Sequence, residues 1–174
     1  MDEDIQRLIE RSRYPEALEQ LLNRYERKVF RMALAFLREP NRAEEVTQDI
    51  FVKIWRAMPD YDGRASPGTW LYAIARNTCL SATRSEAYRK TVPLDAIAEP
   101  AASTDTASLK LELERLVGRL PPIQRAAITL FYLEDKRVDE VATLLQMPEG
   151  TVKSHLHRAR RSLGEMIRNN DHEL

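Results

Sequence analysis

Basic and hydrogen-bonding side chains are concentrated in one short segment near the end of the chain. Residues 150–163, GTVKSHLHRARRSL, contain four Lys or Arg residues, two histidines and no acid. The whole chain carries 27 basic and 27 acidic residues, so overall charge does not explain this local excess. A local basic stripe favours a polyanionic partner. The alternative interpretation is the solvated basic face of an ordinary amphipathic helix.

The spacing of apolar residues around this segment favours the interpretation that it binds nucleic acid. One predicted helix precedes a short connection and a second follows it, and both repeat apolar residues at helical intervals. The inward positions are Val138, Val141, Ala142 and Leu145, then Val152, Leu156, Ala159 and Leu163. This layout predicts a helix-turn-helix whose second helix enters the major groove of DNA. The outer face of that helix presents Thr151, Ser154, His155 and Arg158, with Lys153, Arg160 and Arg161 beside them for phosphates.

A second candidate site combines acids with aromatic residues on one predicted helix, 42–58. Glu45 and Asp49 share a helical face, but no histidine or further clustered acid completes a metal-ligand set. We therefore expect no metal and no cofactor. Phe51 and Trp55 lie beside these acids, and such excess aromatic area is typical of a helix that docks on a partner.

The elements that position these residues are all predicted to be helices. Five glycines and few β-branched runs favour an all-α protein. Residues 13–40 predict one long helix with Pro15 in its first turn, and Asn41 is a plausible N-cap for the next, with Glu44 completing a capping box. The remaining predicted elements are a loop at 59–68 and helices at about 69–87, 109–118, 122–132, 138–145 and 149–168.

Residues 91–108 divide the chain. They contain two prolines, three acids and no base, with no amphipathic period, which predicts a flexible acidic linker. The predicted architecture is therefore two small helical domains, 1–90 and 109–174, the second containing the helix-turn-helix.

Other features narrow the class of protein. A single cysteine, Cys79, excludes an internal disulfide, and its apolar surroundings predict a small buried side chain. No long apolar run and no signal sequence are present, so we expect a cytoplasmic protein with no direct membrane association.

Three stretches together resemble a known family: RAEEVTQDIFVKIWRA, TWLYAIARNTCL and LPPIQRAAITLFYLEDKRVDEVATLLQMPEGTVKSHLHRARRSL. Over about residues 15–167 the chain is similar to the extracytoplasmic-function sigma factors, the compact members of the sigma-70 class. The resemblance implies a non-catalytic specificity subunit that binds core RNA polymerase and promoter DNA. It also implies control by an anti-sigma factor, often one bound to the membrane.

The resemblance also implies roles for individual residues. Contact with the clamp helices of the polymerase falls on Glu45, Gln48, Asp49, Phe51 and Trp55. Recognition and opening of the downstream promoter element fall on Tyr61, Arg64, Ser66, Pro67, Arg76, Asn77 and Arg84. Recognition of the upstream (−35) element falls on Thr151, Lys153, Ser154, His155, Arg158 and Arg161.

Three positions depart from the family pattern. Pro67 stands where family members often have an aromatic residue, and Ser81 where an acid or Asn is frequent. His155 replaces a common arginine, which exchanges a fixed charge for one that titrates near neutrality.

Two other functions stay open from the residues alone. A dimeric helix-turn-helix regulator would bind promoter DNA without polymerase. An enzyme acting on nucleic acid would need a ligand set or nucleophile constellation, and the sequence lacks both.

Overall fold

The computed structural model describes residues 2–90 and 105–170, which contain eight α-helices and no strand. The predicted all-α fold is confirmed. The first four helices are α1 (Glu3–Glu10), α2 (Tyr14–Leu37), α3 (Pro40–Ala57) and α4 (Pro67–Lys90). The others are α5 (Asp105–Arg119), α6 (Pro122–Ile128), α7 (Val138–Leu145) and α8 (Glu149–Asn170). We call α1–α4 the N-terminal unit and α5–α8 the C-terminal unit.

The N-terminal unit is built around α2, which packs against α1, α3 and α4. Its core is formed by fully buried side chains that recur along these helices: Leu21, Val29, Met32, Phe36, Ile50, Ile54 and Leu71. Cys79 on α4 is also fully buried, and burial raises the pKa of its thiol to about 12. The prediction that Cys79 is a small buried side chain is therefore confirmed.

The start of α3 corrects a sequence prediction. Glu39, not Asn41, is the N-cap, and its carboxylate accepts hydrogen bonds from the amides of Asn41 (2.9 Å) and Arg42 (2.7 Å). Pro40 occupies the first helical position. An N–H at this position would make no hydrogen bond within the helix, so proline is tolerated there. The helix therefore begins two residues earlier than predicted.

The first helix, α1, was not predicted. Only Ile5 and Ile9 are buried along it, and eight residues give too few turns for an apolar period to stand out. Ser12 then adopts a left-handed backbone (φ 57°) that turns the chain into α2.

In the C-terminal unit, α5 begins at Asp105, within the range predicted as linker. The rest of that range, 91–104, lies outside the described residues. The predicted helix at 122–132 is α6 followed by a π-helical turn, Thr129–Leu133. Five of the eight predicted inward positions are buried in the α7–α8 core: Val141, Leu145, Val152, Leu156 and Ala159. The other three, Val138, Ala142 and Leu163, are half-buried and pack against it.

The two units contact each other directly. Helix α2 packs against α6, and α4 packs against α7. Arg31 of α2 also pairs with Glu134, which follows the π-helical turn, at 3.2 Å. A cavity of about 410 Å³ lies at this contact, with Tyr25 and Tyr72 from the N-terminal unit and Lys136 and Glu140 from the C-terminal unit in its wall. Within the described residues, no helix has the length and apolar character needed to cross a membrane.

Candidate functional site

An apolar groove of about 580 Å³ runs between α2 and α3. Helix α2 provides Pro15, Leu18, Leu22 and Glu26, and helix α3 provides Thr47, Gln48, Phe51, Val52 and Trp55. Two of these side chains are exposed despite being apolar: Val52 is 47% and Trp55 42% accessible to solvent. A water-exposed tryptophan beside an apolar groove is typical of a protein-docking surface.

The groove brings together three of the five residues predicted to contact polymerase: Gln48, Phe51 and Trp55. Phe51 is only 7% exposed, so it forms part of the groove wall and offers little free surface. Glu45 and Asp49 are exposed on the same helix, and Glu45 forms an ion pair with Arg42. Neither acid lines the groove, whose acidic lining residue is Glu26 of α2.

The loop before α4 holds three of the residues predicted for the downstream element, Tyr61, Arg64 and Ser66, and a fourth, Pro67, begins the helix. The Tyr61 ring packs at 5.2 Å, centroid to centroid, on Trp70, and its hydroxyl donates to the Ala65 carbonyl. Arg64 is exposed, and its amide donates to the Asp62 carboxylate at 3.0 Å. The loop is thus held by internal contacts.

Ser66 is the last residue of the loop, and Pro67 is the first residue of α4. Ser66 caps the helix, because its hydroxyl accepts a hydrogen bond from the Thr69 amide at 3.3 Å. Pro67 is buried at the first helical position. The unusual proline therefore has a structural role as a helix start.

Farther along α4, Asn77 and Arg84 are exposed and lie seven residues apart, about two helical turns. Trp70 lies seven residues before Asn77 on the same face and adjoins the loop through Tyr61. Trp70 was not among the residues predicted for the downstream element, although its spacing connects it with Asn77 and Arg84. Arg76 is half-buried, and its Nε has no hydrogen-bond partner within the described ranges.

The helix-turn-helix is formed by α7 and α8. Gln146 ends α7 in a left-handed conformation (φ 51°, ψ 53°), and Met147 and Pro148 complete the turn. Exposed residues cover the outer face of α8: Thr151, Lys153, Ser154, Arg158 and Arg161. Ser154 donates its hydroxyl proton to the Gly150 carbonyl at 2.9 Å, which holds its oxygen against the helix.

Acids flanking the basic segment neutralise part of its charge. Lys153 lies 3.8 Å from Glu149, and Arg161 lies 2.9 Å from Glu165. Arg158 is exposed and makes no ion pair with any side chain in the described part of the chain. It is therefore the most available cation on the outer face of α8.

His155 differs from its neighbours on this face. Its ring is half-buried, and Nδ1 has no hydrogen-bond partner among the residues that the structure describes. Burial, and secondarily the positive charge of Arg158, lower the pKa of His155 below its ordinary value. The histidine is therefore neutral at pH 7.

Comparisons with known proteins agree with this architecture. The family model described as Sigma-70 region 2 matches residues 21–89, and the one described as Sigma-70, region 4 matches residues 110–163. The RNA polymerase sigma-H factor of Pseudomonas aeruginosa is 30% identical over 95% of this chain and 94% of its own length. The ECF RNA polymerase sigma-E factor of Haemophilus influenzae is 32% identical over 86% of this chain and 84% of its own length.

A solved structure is also similar. The sigma factor RpoE of Bartonella quintana, crystallised in complex with the anti-sigma factor NepR, superposes with a TM-score of 0.57 at 25% identity. The match covers 86% of this chain and 96% of that one. With two relatives at or above 30% identity over most of its length, the chain belongs to the extracytoplasmic-function sigma factors of the sigma-70 family.

Proposed function

We propose that this chain is a promoter-specificity subunit that binds core RNA polymerase, recognises the −10 and −35 promoter elements and performs no catalysis itself. The observation that carries the proposal is the α2–α3 groove with its exposed Trp55. Exposing this much apolar surface is unfavourable in water and is offset when a partner covers it.

The groove fits a helical partner with an apolar ridge and basic flanks. Trp55 and Val52 supply the apolar contact, and a central tryptophan anchor contributes more binding free energy than most interface residues. Glu26 supplies negative charge in the groove lining, and Asp49 is an exposed acid on α3, which favours a basic partner and raises the association rate. We assign this surface to the clamp helices of the polymerase.

The loop 61–66 and the exposed face of α4 are suited to single-stranded DNA. The Tyr61–Trp70 pair offers aromatic surface on which an unstacked base can stack. Asn77 and Arg84 extend the same surface with a hydrogen-bonding group and a cation. We assign this surface to the downstream element, where the duplex must open.

The outer face of α8 is suited to duplex DNA. Arg158 projects from the first half of the helix, the part that contacts base edges in helix-turn-helix complexes. Lys153 and Arg161 lie beside it and reach phosphates if DNA displaces their acidic partners. We assign this face to the upstream element.

We further propose that an anti-sigma factor controls the chain. The similar RpoE is bound by an anti-sigma factor, and the α2–α3 groove offers such a regulator a surface whose occupation would exclude polymerase. The regulator is expected to be attached to the membrane, and the sigma factor itself to work in the cytoplasm, where the chromosome lies.

Reconstitution with core RNA polymerase tests the function. Run-off transcription from a library of promoter fragments is expected to enrich templates with two elements at fixed spacing, only when both chain and core are present. Core alone and chain alone are the controls. Binding of promoter duplexes by the chain alone, as a dimer, would favour the regulator alternative. If the chain binds core but the mixture yields no template-specific transcripts, the proposal is refuted.

A further inference from the structure

The acidic start of the chain contacts the beginning of α4. The Asp2 carboxylate accepts hydrogen bonds from the Tyr25 hydroxyl at 2.6 Å, from Arg24 at 3.0 Å and from the Gly68 amide at 3.2 Å. The Asp2 side chain is only 10% exposed. Three donors, from α2 and α4, therefore surround one nearly buried carboxylate.

These contacts determine the ionisation of the carboxyl group. Burial alone would raise the pKa of Asp2, but the hydrogen bonds from Tyr25, Arg24 and Gly68 outweigh burial and lower it. Burial, and secondarily the contact with Asp2, raise the pKa of Tyr25, so its hydroxyl keeps the proton that it donates. Asp2 is therefore a fixed negative charge at neutral pH.

The Gly68 amide is one of the first amides of α4, which have no partner within the helix. A carboxylate at this end also interacts favourably with the helix dipole. Gly68 itself permits the contact, because a side chain there would collide with the Tyr25 hydroxyl and the Asp2 carboxylate. Asp2 and Ser66 thus hold the first turn of α4 from two directions.

We propose that Asp2 is a positioning residue for promoter opening, which fixes the first turn of α4 and with it the adjoining loop that carries Tyr61, Arg64 and Ser66. This inference rests on the proposed function of that loop. Helix α1 has other contacts to α2, because Ile5 and Ile9 are buried and Asp4 pairs with Arg24 at 2.8 Å. Removing the charge therefore loosens the loop and leaves the fold intact.

The test compares Asp2→Asn with Glu3→Gln. Both variants remove one negative charge at adjacent positions, but Glu3 is exposed and its carboxylate pairs with Arg7, on its own helix, and with no other side chain among the described residues. Hydrogen exchange of the free protein is expected to be about tenfold faster at Gly68 and Thr69 in Asp2→Asn, the effect of losing one charge-assisted hydrogen bond. Glu3→Gln is expected to match the wild type. Gly68→Ala breaks the same contact from the other side and is expected to reproduce Asp2→Asn.

The functional measurement uses holoenzyme on a duplex promoter selected by the reconstitution. Permanganate reactivity of unpaired thymines is expected to fall about tenfold for Asp2→Asn at saturating holoenzyme, with core affinity unchanged. If the wild type opens the promoter and Asp2→Asn opens it as well as Glu3→Gln does, the role of Asp2 is overturned but the proposed function is not. The role of Asp2 is also overturned if Asp2→Asn loses core affinity to the same extent as it loses promoter opening, because the effect would then be a general structural one. Failure of the wild type to open any promoter would instead overturn the proposed function.

Discussion

Arg125, on α6, donates from Nη2 to the carbonyl of Phe36, on α2, at 2.6 Å. Its Nη1 donates to the Gly118 carbonyl at 3.0 Å. Phe36 and Gly118 each precede the last residue of their helices, so both carbonyls belong to the groups that lack intrahelical partners. One guanidinium therefore joins the ends of two helices from different units, where the helix dipoles favour a cation.

This contact predicts that Arg125→Ala will weaken the packing between the units. Loss of hydrogen bonds from a charged group is expected to cost about 1.5–3 kcal/mol. Small-angle scattering is expected to show a larger radius of gyration, and energy transfer between one dye on each unit is expected to fall. Arg137→Ala is the matched control, because Arg137 is exposed and its ion pair in the described structure is with nearby Asp139, within the same unit. Identical scattering from the two variants would contradict the prediction.

The groove predicts that Trp55→Ala will weaken core binding by about 2 kcal/mol or more. Because Trp55 is already 42% exposed, the variant is expected to remain folded by circular dichroism. Asp49→Ala is expected to have a smaller effect, mainly on the association rate. Arg56→Ala, a neighbouring exposed position outside the groove lining, is the control. A folded Asp49→Ala, Trp55→Ala double variant with normal core affinity would show that the groove is not the polymerase surface.

Arg158 and Arg161 are predicted to act differently on upstream-element DNA. Arg158→Ala is expected to cost about 1–3 kcal/mol at one base position and to relax the preference there. Arg161→Ala is expected to weaken binding to all promoters alike. It is also expected to reduce the slope of log affinity against log salt concentration by about one. Glu165→Gln, which releases Arg161 from its ion pair, is expected to raise affinity without changing sequence preference. Equal, sequence-independent losses in both arginine variants would make this face an electrostatic anchor only.

His155 is predicted to leave upstream-element affinity constant at neutral and mildly alkaline pH, because burial and the charge of Arg158 lower its pKa and favour the uncharged ring there. Below that range, its protonation adds a positive charge and is expected to strengthen DNA binding. The unfolded chain takes up this proton at higher pH than the folded chain. Its contribution to stability is therefore lost as the pH falls through the folded pKa.

Titration of holoenzyme on an upstream-element duplex measures this effect. His155→Gln is expected to abolish the acid-side increase, whereas His157→Gln, at an exposed neighbouring position, is expected to retain it. A decline in affinity as pH rises through 6.5 in the wild type, absent in His155→Gln, would instead indicate a charged contact with DNA.

Gln146→Gly is predicted to stabilise the protein by about 0.5–1 kcal/mol, because a left-handed backbone strains any residue with a Cβ. The variant loses the hydrogen bond from Gln146 Nε2 to the Thr143 carbonyl at 2.7 Å, but that bond is exposed. Gln146→Ala keeps the strain and loses the same bond, so it is expected to be less stable than the wild type. Urea unfolding measures both, and a stability order with Ala above Gly would contradict the prediction.

The sequence by itself predicted seven of the eight helices in the described residues, with α1 missed, and it predicted that α7 pairs with α8. Val141, Leu145, Val152 and Leu156 repeat at helical spacing over a short connection, so the helix-turn-helix and its exposed basic face follow from local periodicity. Cys79 was predicted to be buried for the same reason. The start of α3 was misplaced because Pro40 and Asn41 are both plausible beginnings, and Glu39 caps the helix from outside the expected motif.

The tertiary structure decided the contacts between residues far apart in the chain. Asp2 meets Gly68 across 66 positions, and Arg125 meets Phe36 across 89. Neither pair has a sequence signature, because such contacts depend on how whole helices pack and not on a local period. The same reason explains Phe51, which the helical pattern places beside Trp55 but which packing against α2 buries. The half-buried position of His155, which lowers its pKa, was likewise not predicted from the sequence.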